Sequence, residues 1–421
     1  MALTTEQAWF NEARFGMFVH WGAFSAGGLE PSWPLVGGVS AFPACQDLTV
    51  AEYEAVTARF APPPDAVTRW AALARRAGMT YIVLTTKHHD GYTLFPQGRS
   101  GYGITQVDPG RDLVREHVEA ARAEGLRVGL YYSLPDWHHP DYPAWSDNLR
   151  PYPGPFYPRP EPERWEAFRA DLFREVEHLL SAYGQIDVLW FDGGWERSPD
   201  EWQAKELEAR IRELQPGIII NDRLPGVGDV ITPEQAVPRP PPDGPWETCL
   251  TMGDSWGPVE ADTVRKSTRA VLATLLDVAA AGGNLLLNIS PDGDGVVPAW
   301  QEDRLRGLTA WMDGHGHTVV GTTPSDLEPW QFNGPSTAKG SSTFLFCTMR
   351  PEGLVLLRGV HAGKITSIRV VGTDVALTFT PQLSALDRIL NNTDPVCDVH
   401  IDIPPGAADP LVTVIEVVTD H

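Results

Sequence analysis

The sequence contains few cysteines and comparatively few basic residues. Its four cysteines, at positions 45, 249, 347 and 397, lie far apart and match no metal-ligand spacing, so we expect buried thiols. The 33 Lys and Arg residues are outnumbered by 55 Asp and Glu residues, which gives a net charge of −22. So acidic a chain repels phosphate backbones and anionic membrane faces. Nucleic acid and membrane surfaces are therefore not expected as partners, and a neutral ligand is favoured.

Long apolar runs and glycine-rich phosphate motifs are missing as well. No segment approaches the roughly 20 apolar residues of a membrane span, and residues 1–7 lack the positive and apolar regions of a signal peptide. These absences predict a cytoplasmic protein. No Gly-x-Gly-x-x-Gly motif follows the first predicted strand, which weakens a dinucleotide-binding fold, and no cofactor is expected.

What the sequence does contain is a repeated alternation of short apolar runs and amphipathic stretches. Seven strands are predicted in this pattern, at residues 15–22, 79–86, 127–133, 186–192, 216–223, 246–250 and 282–290. Strands separated by helices imply a parallel sheet, and so many repeats favour an irregular (β/α)8 TIM-like barrel over an open sheet. The eighth strand is expected either between residues 95 and 108 or near residue 230.

The pattern changes beyond about residue 320. Short β-prone segments, such as 343–346 and 411–418, are separated by Gly, Pro and Asn, without long amphipathic helices between them. This texture predicts a C-terminal antiparallel β-sandwich. We therefore expect a catalytic domain at residues 1–320 and a structural domain at residues 321–421.

Polar residues stand at the ends of the predicted barrel strands. The set comprises His20, His88, His89, Tyr131, Asp192, Arg223, Glu247 and Asn288. A barrel brings such strand ends together at one mouth. A buried carboxylate there is costly unless it is paired or used, which favours a functional Asp192, although an Asp before Gly-Gly can also cap a turn.

Two carboxylates flanking one bond are the minimal equipment for glycoside hydrolysis. Asp192 is the first, and Glu234, in the Pro-rich loop 224–245, is better placed than Glu247 to reach a leaving group. Glu247 lies within a strand and is expected to pair with Arg223 or a histidine. Neutral histidines beside a carboxylate can also hold zinc, which leaves a metal-dependent hydrolase as an alternative. The 15 tryptophans are compatible with a sugar-binding cleft.

Seven sequence blocks, in this order, resemble the α-L-fucosidases of glycoside hydrolase family 29. They are residues 15–22, 86–92, 189–193, 221–223, 232–234, 246–249 with 254–257, and 282–289. Each block alone is weak evidence, but the ordered set is specific and extends over roughly residues 9–320.

The resemblance implies an exo-acting, retaining hydrolase of terminal α-L-fucose, acting on fucosylated oligosaccharides or glycoconjugates. It implies that Asp192 is the nucleophile and Glu234 the general acid/base. The expected substrate-binding residues are His20, Trp33, His88, His89, Tyr131, Trp190, Arg223 and Trp256. No metal ligand is expected. The alternatives are a hydrolase of another glycoside, a metal-dependent hydrolase, and a carbohydrate-binding protein without turnover.

Overall fold

The computed structural model describes residues 3–39, 41–96, 98, 102–142, 152 and 159–420. The helices are α1 Phe10–Ala13, α2 Val50–Thr57, α3 Thr68–Arg76, α4 Ile104–Val107, α5 Leu113–Ala123, α6 Pro162–Ser181, α7 Pro199–Trp202, α8 Ala204–Leu214, α9 Thr268–Ala280, α10 Ala299–His315 and α11 Ala385–Leu390. The strands are β1 Phe15–Val19, β2 Tyr81–Lys87, β3 Arg127–Ser133, β4 Val188–Asp192, β5 Ile219–Ile220, β6 Glu247–Leu250, β7 Asn284–Ile289, β8 Thr323–Pro324, β9 Ser336–Lys339, β10 Ser342–Cys347, β11 Leu354–His361, β12 Ile365–Val370, β13 Phe379–Gln382, β14 Val396–Asp402 and β15 Thr413–Thr419.

The first seven strands form one parallel sheet in the order β5-β4-β3-β2-β1-β7-β6. Every residue of β1, β2 and β7 is buried. That pattern is expected where helices or loops cover both faces of a parallel sheet. Because neighbouring strands run in the same direction, their carboxyl ends lie along one edge, and the polar residues predicted at those ends come together there.

A short segment lies between the two outer strands of this sheet. Val230 forms a β-bridge with Asn221, which follows β5, while Ile231 and Glu234 form bridges with Trp246 and Cys249 of the β6 region. The predicted eighth strand near residue 230 falls on this segment. The other predicted position includes helix α4.

The chain divides into two compact units. The first comprises Met1–Trp9, Phe15–Lys266 and Leu286–Asp303, and the second comprises Phe10–Arg14, Ser267–Leu285 and Arg304–His421. The second unit contains two antiparallel sheets, in the orders β12-β15-β10-β9-β8 and β11-β14-β13. Residues of both sheets enter one hydrophobic core, among them Leu345 and Ile415 from the first and Leu357 and Val399 from the second. The domain boundary at residue 320 stays a prediction.

Two features of composition can be compared with the described structure. All four cysteines are free thiols. Cys249, Cys347 and Cys397 are buried, as expected, whereas Cys45 is only partly buried. Among the described residues, no helix has both the length and the apolar character needed to cross a membrane.

Candidate active site

One cavity at the carboxyl edge of the parallel sheet collects every residue that the sequence predicts for the site. Its lining includes Asp192, Glu234, His20, Trp33, His88, His89, Tyr131, Trp190, Arg223 and Trp256. Asp192 ends β4, Tyr131 lies within β3, and the three histidines directly follow β1 and β2. Parallel strands thus place residues that are distant in sequence around one point.

Asp192 is largely but not fully buried, with 13% of its side chain exposed, and it has strong hydrogen-bonding partners. Its Oδ1 accepts a hydrogen bond from Nη1 of Arg223 at 3.0 Å, and its Oδ2 accepts one from the hydroxyl of Tyr131 at 2.9 Å. Nε2 of His89 lies 3.7 Å from Oδ2. Burial by itself would raise the pKa of this carboxyl group, but the Arg223 cation and the hydrogen bonds from the Tyr131 hydroxyl and the Gly193 amide outweigh burial and lower the pKa below its ordinary value. Asp192 is therefore ionised at neutral pH.

Arg223 contacts both predicted catalytic acids. Its Nη2 donates a hydrogen bond to Oε2 of Glu234 at 2.8 Å, and its Nη1 donates one to Oδ1 of Asp192. The guanidinium carbon lies 5.0 Å from the ring centre of Trp190, which supports it from one side. Because one planar guanidinium binds both carboxylates, the two acids face the same small volume of the cavity.

The histidines are buried and are held by polar side chains. Nδ1 of His20 donates to Oδ1 of Asn288 at 2.8 Å, and Nδ1 of His89 lies 2.7 Å from Oγ of Ser133. The Ser133 hydroxyl donates its own proton to a carbonyl oxygen, so it accepts the proton of His89 Nδ1. In both rings this leaves Nε2 as a hydrogen-bond acceptor.

Burial keeps these rings neutral. The pKa values of His20 and His89 are lowered to about 4, chiefly because burial penalises the imidazolium cation. Burial, with the neighbouring His89 and His20, lowers the pKa of His88 well below its ordinary value. Neutral rings with a free acceptor nitrogen suit the hydroxyl groups of a sugar.

Aromatic side chains form the remaining wall. The Tyr131 ring stacks on both His88 and Trp190, with ring centres 5.4 Å and 5.6 Å apart. The ring of Trp256 lies 4.7 Å from that of His20, and its backbone amide donates to Oε1 of Glu30 at 3.0 Å. A carboxylate thus fixes the loop that carries Trp256.

Trp33 lies on the short 3-10 helix Trp33–Val36 of the first long loop. Its ring meets those of His89, Trp137 and Tyr152 edge to face, with ring centres 5.0 to 5.7 Å apart. These contacts place an aromatic surface beside the histidines, and the apolar face of a sugar ring can pack against such a surface.

The expectation for Glu247 is wrong. Its carboxylate accepts hydrogen bonds from Trp190 Nε1, at 3.0 Å, and from the hydroxyl of Tyr81, and within the described part of the chain neither Arg223 nor a histidine is its partner. Burial raises its pKa to about 7. Glu247, the first residue of β6, therefore orients the ring of Trp190, which lines the cavity, and does not line it itself.

Three side chains have donor atoms close enough to bind a metal ion together. Nitrogen atoms of His88 and His89 and an oxygen of Asp192 all lie within 4.8 Å of one another. However, both oxygens of Asp192 already accept hydrogen bonds, and one of their donors is the cationic Arg223. A divalent cation here would be repelled by that guanidinium, so this arrangement suits a carboxylate used as a nucleophile better than one used as a ligand.

The sequence did not single out several residues that shape the site. Ser32 Oγ lies 2.6 Å from His88 Nδ1, and Ser133 orients His89. Ser133 ends a predicted strand, as the selected residues do, so the same criterion could have found it. Ser32 lies in a loop with no such signal. Phe42 and Trp195 also line the cavity.

This chain is similar in sequence to known α-L-fucosidases. A family model described as α-L-fucosidase matches residues 2–317. Mouse tissue α-L-fucosidase is 31% identical over 408 residues, which cover 89% of this chain and 85% of that protein. The bovine tissue enzyme is 32% identical, with 89% and 81% covered.

Solved structures give the same result. α-L-fucosidase isoenzyme 1 from Paenibacillus thiaminolyticus superposes with a TM-score of 0.85 at 33% identity, covering 99% of both chains. The Thermotoga maritima α-fucosidase in complex with a mechanism-based inhibitor has a TM-score of 0.75 at 26% identity, with 97% of this chain and 96% of that chain covered. The chain therefore belongs to the α-L-fucosidases of glycoside hydrolase family 29 and is a glycoside hydrolase.

Proposed function

We propose that this protein is an exo-acting, retaining α-L-fucosidase that releases terminal α-L-fucose from fucosylated glycans. The observation that carries the proposal is the placement of Asp192 and Glu234 on the two arms of one guanidinium, within a cavity lined by neutral histidines and aromatic rings. Two carboxylates at one site are what retaining hydrolysis requires. The activity in the names of its relatives supports the choice of fucose.

In the proposed reaction Asp192 is the nucleophile. Its lowered pKa keeps it ionised, and Arg223 and Tyr131 orient its two oxygens. Attack on the anomeric carbon breaks the bond to the leaving oxygen and forms a covalent glycosyl-enzyme. Glu234 donates a proton to the departing oxygen, and its carboxylate then takes a proton from the water that hydrolyses the intermediate. Two displacements restore the original anomeric configuration.

The proposed binding residues supply complementary contacts. The Nε2 atoms of His20 and His89 accept hydrogen bonds from fucose hydroxyl groups, and His88 contributes a third polar ring. Trp190 and Trp256 pack against the apolar parts of the sugar, with Trp256 beside the C5 methyl group. Trp33 closes the cavity from the first loop.

The architecture that holds this site is proposed to be an irregular (β/α)8 barrel followed by a β-sandwich. The bridges of residues 230–234 with both outer strands support closure of the seven-stranded sheet through this segment. Glu234 lies on this segment. Closure would therefore bring its carboxylate to the carboxyl ends of the strands, where Asp192 lies.

The cluster of His88, His89 and Asp192 favours one second candidate, a metal-dependent hydrolase. A single experiment distinguishes the two. The protein is mixed with an aryl α-L-fucoside, with and without a chelator, and the first-formed sugar is followed by proton NMR. We expect α-L-fucose to appear first and the chelator to have no effect. Initial release of the β-anomer would contradict retention, and activity lost to chelation and restored by zinc would favour the metal-dependent alternative.

A further inference from the structure

Trp195 lines the candidate active site and is also exposed to solvent. It lines the same cavity as Asp192 and Glu234, yet 42% of its surface is exposed to solvent. An exposed indole ring at a binding site retains a large apolar area that a ligand can cover. The position follows from the local chain, because β4 ends at Asp192 and the short 3-10 helix Gly194–Glu196 begins two residues later.

The exposed ring is nevertheless anchored. Nε1 of Trp195 donates a hydrogen bond to the hydroxyl of Tyr152 at 2.8 Å, and that hydroxyl donates to Oε1 of Glu196 at 2.8 Å. Glu196 is buried and also accepts a hydrogen bond from Nε1 of Trp137 at 3.1 Å. A ring fixed in this way loses little side-chain entropy when a ligand covers it, so it makes an efficient binding platform.

Exposure also distinguishes the two ends of the cavity. The side chains of His89 and Asp192 are 1% and 13% exposed, whereas that of Glu234 is 35% exposed. The buried end suits the fucose ring that Asp192 attacks. The leaving group must then extend toward the more exposed end, where Glu234 would protonate its oxygen. The exposed ring of Trp195 lines the same cavity, 6.1 Å from the ring of His89, and is available to that group.

We propose that Trp195 forms a second sugar subsite that stacks on the pyranose ring to which fucose is attached. This inference rests on the proposed function. The C–H face of a pyranose is apolar and flat, and it matches the face of an indole ring. Trp195 therefore recognises the leaving sugar, and the buried end recognises fucose.

The test compares two substrates: one has a leaving group large enough to contact the Trp195 ring, and the other does not. One is the best substrate among fucosyl disaccharides of 1→2, 1→3, 1→4 and 1→6 linkage, and the other is α-L-fucosyl fluoride, whose leaving group is too small to contact Trp195. We expect Trp195→Ala to lower kcat/KM on the disaccharide about tenfold while activity on the fluoride stays within about twofold of wild type. Trp195→Phe keeps a ring and should retain most of the disaccharide activity.

Trp330, which is 60% exposed and lies in the second unit, provides the matched control. Trp330→Ala should change neither activity.

Equal losses of Trp195→Ala on both substrates would mean that the ring only supports the fucose pocket, and no loss on the disaccharide would mean that the ring has no role. Either result overturns the subsite. If Trp195→Ala does not fold, as judged by thermal unfolding, Trp195→Leu, which keeps apolar bulk without a flat ring, is measured on the same two substrates and should likewise lose activity on the disaccharide alone. A wild-type protein inactive on every α-L-fucoside would instead contradict the proposed function.

Discussion

Arg223 is the residue on which the two proposed catalytic acids meet. Its guanidinium donates to Asp192 at 3.0 Å and to Glu234 at 2.8 Å, and it is supported by the Trp190 ring. One cation near two carboxylates stabilises the ionised nucleophile, and the fork geometry holds both acids in register.

Removal of the nucleophile should abolish turnover. We expect Asp192→Gly to lose activity on an aryl α-L-fucoside by several orders of magnitude, because no covalent intermediate can form. Azide should restore part of the activity, since the small anion can occupy the space left by the carboxylate. Initial rates with and without azide measure this, and wild-type rates should not rise with azide. Full activity of the variant would contradict the assignment.

Loss of the general acid should depend on the leaving group. We expect Glu234→Gln to slow hydrolysis of substrates with poor leaving groups by about 100-fold or more and to affect good leaving groups much less, because only the former need protonation. The measurement is kcat/KM over a series of aryl α-L-fucosides. Asp243→Asn, on the same loop and exposed, is the control. Losses that do not vary with the leaving group would argue against this role.

At the scale of elements, the turn after β4 determines where Asp192 points. Gly193 has a φ of +78°, and a Cβ atom there would lie 2.3 Å from Cδ of Pro135. Only glycine adopts this backbone conformation without strain and leaves room for the neighbouring loop. The strand can therefore end directly at the carboxylate, with the 3-10 helix of Trp195 immediately behind it.

We expect Gly193→Ala to lower activity at least about tenfold and to destabilise the protein by about 2–4 kcal/mol, since it adds a steric clash to the cost of a positive φ. Gly125, which follows α5, is the matched control, because its φ is +69° but a Cβ atom would have nothing within 4 Å. Gly125→Ala should cost only about 1–2 kcal/mol and leave activity unchanged. Chemical denaturation and kcat/KM measure both effects. Equal effects of the two substitutions would show that the clash with Pro135 does not matter.

At the scale of the whole molecule, two sets of buried groups oppose each other in the pH dependence of stability. Burial lowers the pKa of His20 and His89 from 6.5 to about 4. Below pH 6.5 the unfolded chain therefore binds protons that the folded chain does not, and stability is lost as pH falls toward 4. Burial raises the pKa of Glu30 and Glu247 from 4.5 to about 7. Above pH 4.5 the unfolded carboxyl groups lose protons first, and stability is lost as pH rises toward 7.

We therefore expect the unfolding temperature to be highest between about pH 4.5 and 6.5 and to fall on both sides. Glu247→Gln removes one titrating group, so its free energy of unfolding should fall less than that of wild type between pH 4.5 and 7.5, by up to about 3 kcal/mol. Denaturation at both pH values measures this difference. Glu166→Gln, at an exposed position of α6, should behave as wild type. A variant with the wild-type pH slope would mean that Glu247 is ionised in the folded protein.

The sequence by itself determined the alternation of strands and helices, the polar residues at the strand ends and, through ordered motifs, the resemblance to α-L-fucosidases. These features are local, since they depend on the periodicity and polarity of neighbouring residues. The ends of elements are less well determined: the pattern predicts a strand at residues 216–223, whereas β5 comprises only Ile219–Ile220.

Only the tertiary structure decided which side chains meet. Arg223 reaches Asp192 across 31 residues and Glu234 across 11, Ser32 reaches His88 across 56, and Glu247 pairs with Trp190 across 57. Such pairs depend on strand order and on loop paths, which sequence periodicity does not contain. The physical reason is that a side chain's partner is chosen by packing in three dimensions, whereas its strand or helix is chosen largely by its neighbours along the chain.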